Sequence, residues 1–318
     1  MGTGEPPSPS LSASREADSA CSPPAPGPVA DGAKGPSPSA TGTRPVARAA
    51  AHSIAVRQTA VELVRFIPFT DLVPCDYNQD GVLDVIVLNS KVSDGYGMTG
   101  IGNGLFAQGP CFDLPFRPAG AVSLGSGPEE RNGIFLISSA GSVSLFFPLI
   151  VEVSQETAPA TTFAVLRVDT GSGPLFVVCE AGKPQVHLYG AEGLTVKDLG
   201  ARASSRVASA ADWYGRLVAW QPTSEGVAFP LPPEGTERTT CVADVNGDGI
   251  PDLVYYETGK IVWKLSLDGA PLAVEKTAPC PTRPTVVRVA DVDGNGLGDV
   301  LALMGTSGVL EVYLALPE

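Results

Sequence analysis

The feature that most narrows the possible folds is a recurrence. The chain reads DYNQDGVLDVIV at 76–87, DVNGDGIPDLVY at 244–255 and DVDGNGLGDVLA at 291–302. Each copy places a carboxylate or amide at every second position, then a glycine, a closing aspartate and an apolar run. In register, the copies supply Asp76, Asn78, Asp80, Gly81 and Asp84; Asp244, Asn246, Asp248, Gly249 and Asp252; and Asp291, Asp293, Asn295, Gly296 and Asp299. Three such copies mark a chain assembled from repeated supersecondary units.

The texture between the copies says which unit. From about residue 53 the sequence breaks into apolar or alternating runs of four to eight residues, such as VLDVIVL, GIFLISS, LFVVCE, KIVWKLSL and DVLALM. Gly, Pro, Asp or Asn punctuates nearly all of them, and no sustained 3.6-residue period appears, so the domain is expected to be all-β. The 36 Gly and 30 Pro fit tight turns between strands, because both residues are costly inside helices.

Phasing on the acidic turns exposes degenerate copies in the gaps: VSLGSG near 123, VDTGSG with Asp169, and ADWYGRLVAW from Asp212. The phase points 76, 123, 169, 212, 244 and 291 are 47, 46, 43, 32 and 47 residues apart. Units of that length with three to four strands each are the signature of β-propeller blades. Six blades are expected; a seventh has little room because the 212–244 interval is already short. The last unit ends one strand short, and residues 53–59 (SIAVRQT) are expected to fill that edge, which joins the termini and removes an open sheet edge. The propeller is therefore assigned to 53–318, and the Pro/Ser/Ala/Gly-rich stretch 1–52 is expected to be disordered, since it lacks the apolar side chains to offset ordering entropy.

The acidic turns have the form D-x-[DN]-x-[DN]-G-x-x-D. Alternate side chains converge, glycine permits the bend, and the carbonyls of Val82, Ile250 and Leu297 are placed to add one more oxygen each. All-oxygen coordination with several carboxylates is Ca²⁺ chemistry. An EF-hand begins the same way but needs Glu at its twelfth position, where this chain has Val87, Tyr255 and Ala302, and it needs flanking helices. Three acids around one turn repel one another without a cation. Up to three Ca²⁺ ions are therefore expected, in a structural role.

These turns, each followed by an apolar strand, resemble the FG-GAP (integrin-α-type) and VCBS repeats of β-propellers. GNGLFAQGP at 102–110 is similar to the glycine–phenylalanine segment later in such blades. The resemblance implies that each loop joins the first two strands of a blade and binds Ca²⁺ at one face. It carries over the same ligand positions as site residues and implies no ion at the units near 123, 169 and 212.

Function is less legible. A net charge of −13 argues against a nucleic-acid surface, although nine of the 34 acids sit in the three turns. No GxSxG, HExxH, P-loop or CxxC occurs, and of the two histidines His187 lies in an alternating run and His52 at the tail boundary. The expectation is a non-enzymatic module that binds a protein partner or joins a larger assembly. The alternatives are an extracellular carbohydrate-binding or adhesion protein, with a glycan as ligand, and a hydrolase or lyase at the central face. Trp213, Tyr214, Trp220, Tyr255, Tyr256 and Trp263 are expected to pack between blades or to form an aromatic binding surface. The start of the chain has no apolar signal core, no stretch is long and apolar enough for direct membrane insertion, and no Asn-x-Ser/Thr sequon occurs. Those features favour an intracellular protein over a secreted one.

Overall fold

The computed structural model describes residues 53–63, 68–125, 133–140, 142–146, 153–155, 162–170, 173–180, 186–190, 207–220, 230, 232–267 and 270–318. The segment 1–52, expected to be disordered, lies outside them. After β1 (Ile54–Glu62), the chain lays down blade I from β2 (Asp71–Cys75), β3 (Asp84–Leu88), β4 (Asp94–Gly102) and β5 (Leu105–Asp113). Blade II holds β6 (Pro118–Ser123), β7 (Ile134–Ser138), β8 (Val143–Phe146) and β9 (Val153–Gln155). Blade III holds β10 (Thr162–Thr170), β11 (Gly173–Glu180) and β12 (Val186–Gly190). A helix, α1 (Ala210–Val218), precedes blade IV, made of β13 (Thr240–Ala243), β14 (Asp252–Glu257), β15 (Lys260–Leu267) and β16 (Ala270–Pro279). Blade V holds β17 (Val286–Ala290), β18 (Asp299–Met304) and β19 (Val309–Pro317). β1 pairs antiparallel along the whole of β19, from Ile54 opposite Pro317 to Glu62 opposite Val309, as the fourth strand of that blade.

Among the described residues there are thus five blades, not the six or seven expected. The surplus unit was the one phased on Asp212. That residue lies in the first turn of α1, where its backbone N–H is capped by the Ser209 hydroxyl and its carboxylate sits one turn from Arg216. Nine helical residues are too few to show a sustained period, so DWYGRLVAW passes for a strand-like run. The helix nevertheless stands where a blade boundary belongs. Trp213, Tyr214 and Leu217 pack with Leu166 of β10 on one side and with Val242, Leu253 and Tyr255 of blade IV on the other. Trp213 donates its indole N–H to the Pro230 carbonyl, and Tyr214 bonds the Pro251 carbonyl and Ser266. Burying an indole in this way contributes on the order of 3 kcal/mol.

The other four boundaries are direct. β2, β3, β7, β8 and β18 are buried along their whole length because their two faces meet different neighbours. In β18, Val300, Ala302 and Met304 pack towards blade IV, while Leu301 and Leu303 pack towards blade I. In β7, Ile134 and Leu136 meet blade I, and Phe135 and Ile137 meet blade III. A period of two, read by two partners, produces the continuous apolar runs of the sequence. Outer strands lack a second neighbour, and β1, β5 and β16 alternate between exposed and half-buried residues.

Candidate functional site

The acidic turns join β2 to β3, β13 to β14 and β17 to β18, so each links the inner strand of its blade to the next. Their hydrogen bonding is nearly superimposable. The first acid caps the bend: Asp76 accepts the N–H groups of Asp80 and Gly81, Asp244 those of Gly247, Asp248 and Gly249, and Asp291 those of Gly294, Asn295 and Gly296. The third residue, Asn78, Asn246 or Asp293, accepts from the fifth, and the fifth accepts from Val82, Ile250 or Leu297. Gly81, Gly249 and Gly296 take φ of 86°, 81° and 83°, a left-handed conformation that L side chains disfavour.

The closing acids Asp84, Asp252 and Asp299 are fully buried. One oxygen of each accepts the N–H following the first acid (Tyr77, Val245, Val292), and the other accepts an N–H from the blade's third strand (Gly100, Ser266, Ala315). The turn is thereby bonded to its own sheet. Burial pushes Asp84 and Asp252 up to about 6 and Asp299 up to about 7; the backbone donors oppose that rise, and the other acids of each turn add to it. Burial also raises Asp293.

Asp291, Asp293 and Asp299 each bring one carboxylate oxygen within 4.8 Å of the other two, the one such acidic group among the described residues. The other two turns carry their middle acid at the fifth position instead of the third, and their acids do not close to that distance. In every turn the donor set is carboxylate and amide oxygen, which fits a hard divalent cation and excludes none of the expected ligand side chains. Leu297 also buries its side chain in the core between blades IV and V.

Inner strands of all five blades line a cavity of about 590 Å³, and each of the three turns contributes to that lining, through Leu83, Asp244 and Asp291 among others. Arg288, in the same lining, belongs to an ionic network that sequence reasoning missed. Asp71, the first residue of β2, accepts from Arg288 of β17 at 2.7 Å and lies 3.5 Å from Arg238. Arg238 also donates to the carbonyls of Thr70 (2.9 Å) and Ala119 (2.7 Å), so a residue just ahead of blade IV holds blades I and II. The available signal was a charge inside an apolar strand, in TDLVPC and in TVVRVA.

The six aromatic residues singled out in the sequence lie in the core or, for the half-buried Tyr255 and Tyr256, pack against it. Trp213, Tyr214, Trp220 and Trp263 are buried, and Trp263 meets Tyr313 of blade V edge-on across a blade boundary. His187 is a residue of β12, opposite Val178. Cys75, Cys111, Cys241 and Cys280 are free thiols.

Fold and turns together define a β-propeller with an FG-GAP-like repeat at 244–302. Residues 244–302 match the FG-GAP-like repeat family, a span that opens on the first acid of the blade IV turn and takes in the whole blade V turn. No curated protein matches the chain. Among solved structures, a crystal structure of BBS1N in complex with ARL6DN, soaked with mercury, aligns at a TM-score of 0.45 and 12% identity, covering 81% of this chain and 95% of that one. Another, of the same complex soaked with lead, aligns at a TM-score of 0.27 and 13% identity, covering 76% of this chain and 47% of that one. Among the described residues no helix is long and apolar enough to cross a membrane.

Proposed function

We propose that this chain is a non-enzymatic, calcium-stabilised β-propeller that acts as a protein–protein interaction module or as a subunit of a larger complex. Ca²⁺ supplies counter-charge to acids that burial otherwise disfavours in their ionised form. Asp76, Asn78, Asp80 and Asp84 hold it in blade I; Asp244, Asn246, Asp248 and Asp252 in blade IV; Asp291, Asp293, Asn295 and Asp299 in blade V. The carbonyls of Val82, Ile250 and Leu297 complete the sets.

The observation that carries the interaction reading is the β4–β5 hairpin of blade I. Asn103 and Gly104 form its two-residue turn with φ of 55° and 71°, the conformation of a tight hairpin loop. Gly104 is seated against Leu314 of blade V, which fixes the tip on the body. Ile101 and Leu105 flank this turn at 60% and 45% exposure, large apolar side chains held out by a rigid support. Asp71, Arg238 and Arg288, by contrast, are engaged in ties between blades.

The test is affinity purification of the full chain beside an Ile101→Asp/Leu105→Asp variant of equal melting temperature. A stoichiometric protein complex held by the wild type and lost by the variant is expected. A chain recovered alone but retained on a glycan column contradicts the reading and favours the carbohydrate-binding alternative.

A further inference from the structure

The acidic turns of blades IV and V are built against each other. The N–H of Gly298 donates to the carbonyl of Val245 at 2.8 Å. A Cβ on Gly298 would stand 3.1 Å from both the Asp244 carbonyl oxygen and Val245 Cα, so glycine is what permits this approach. Gly247 lies equally close to the other turn: a Cβ there would meet the Gly296 carbonyl at 3.0 Å. Val245 and Leu297 share one core cluster. The bonded pair sits between ligand positions, Val245 directly after the first acid of one turn and Gly298 directly before the closing acid of the other.

The remaining turns are not joined in this way. Gly298 is the eighth residue of its turn, and the eighth residues elsewhere are Pro251, which has no N–H to give, and Leu83. Leu83 shares a core cluster with Val292 of the blade V turn, but no described hydrogen bond links its amide to the Val292 carbonyl. Where the turns of blades V and I meet, the described contact is apolar, whereas the turns of blades IV and V share a backbone lock.

We propose that the turns of blades IV and V bind Ca²⁺ as a coupled pair, while the turn of blade I binds it independently. The proposal rests on the calcium reading above. An ion in either turn fixes the shared Val245–Gly298 junction, so the partner turn orders at lower entropic cost when its own ion arrives. Coupling of this kind is reciprocal and typically amounts to roughly 5-fold or more in affinity.

The test is a Ca²⁺ titration of the ion-stripped full chain, read by hydrogen-exchange mass spectrometry on peptides covering 76–84, 244–252 and 291–299. Asp248→Asn should raise the Ca²⁺ concentration for half-protection of 291–299 by about 5-fold or more. Asp293→Asn should shift 244–252 by a similar factor, a reciprocity that local damage to one turn does not reproduce. Asp80→Asn should shift neither. Unchanged midpoints in the first two variants overturn the coupling and leave the calcium reading intact. Absence of calcium-dependent protection at every turn overturns the calcium reading and the coupling with it.

Discussion

Asp299 accepts the backbone N–H of Ala315 at 2.8 Å, which bonds the closing acid of the third turn to the outer half of its own blade. Its second oxygen accepts from Val292 at 2.8 Å, so both oxygens of a fully buried carboxylate are acceptors. Asp299→Asn replaces one acceptor by an NH₂ group and leaves one buried amide unsatisfied. A loss of about 1–3 kcal/mol is expected from urea unfolding. An unchanged midpoint would mean that these bonds contribute nothing.

Asp71 accepts from the Arg288 guanidinium and from the N–H groups of Leu72 and Ala121, and it forms an ion pair with Arg238. Its removal strands Arg288 in a setting where the side chain is only 18% exposed. Asp71→Ala should therefore cost about 3 kcal/mol or more, the cost of a broken buried pair. A loss below about 1 kcal/mol, the range of surface pairs, would show that the network is not a tie between blades.

Left-handed backbone recurs at the fourth residue of each turn: Gln79 at φ 60°, Gly247 at 75° and Gly294 at 76°. A Cβ on Gly294 meets nothing within 4 Å, so Gly294→Ala should cost only the conformational penalty of about 1–2 kcal/mol. Gly247→Ala adds the contact with the Gly296 carbonyl and should cost more. For Gln79→Gly, relief of about 1–2 kcal/mol of strain is only partly offset by about 0.4–1 kcal/mol of unfolded-chain entropy, so a small net gain of stability is expected. Thermal melts of the three variants check the order; a Gly294 variant less stable than the Gly247 variant contradicts it.

The closing acids give the ion-free chain an inverted pH response. Unfolded aspartates titrate near 4, whereas the folded Asp84, Asp252 and Asp299 stand at about 6, 6 and 7. Between those values the folded chain holds more protons than the unfolded one, so their contribution is greatest at low pH and is lost as pH rises to about 7. Protein stripped over a chelating resin should show a larger gain in melting temperature on adding Ca²⁺ at pH 8 than at pH 5. An equal gain at both contradicts this account.

Much of this was legible in residues alone. The three turns, the strand pairs built on them and the apolar runs follow from side-chain spacing and from inner strands that face two neighbours at once. The unit near 123 lacks the acids and the unit near 169 keeps only Asp169, yet they form the β6–β7 and β10–β11 pairs. The blade count failed at Asp212, because a nine-residue helix wedged between blades carries the same apolar density as a strand. Asp71, Arg238 and Arg288 escaped notice because 217 residues separate the first from the last, and only closure of the ring brings them together. The lock between Val245 and Gly298 was hidden for a related reason: a glycine at the eighth position looks like any turn glycine until the next blade is in place.

The central claim is tested most directly by the melting temperature of the full chain, stripped of divalent ions and then returned to Ca²⁺ at neutral pH. The account predicts a rise of several degrees, lost again in excess chelator and reduced in Asp248→Ala and Asp293→Ala. A melting curve that is the same with Ca²⁺ and with chelator would contradict it.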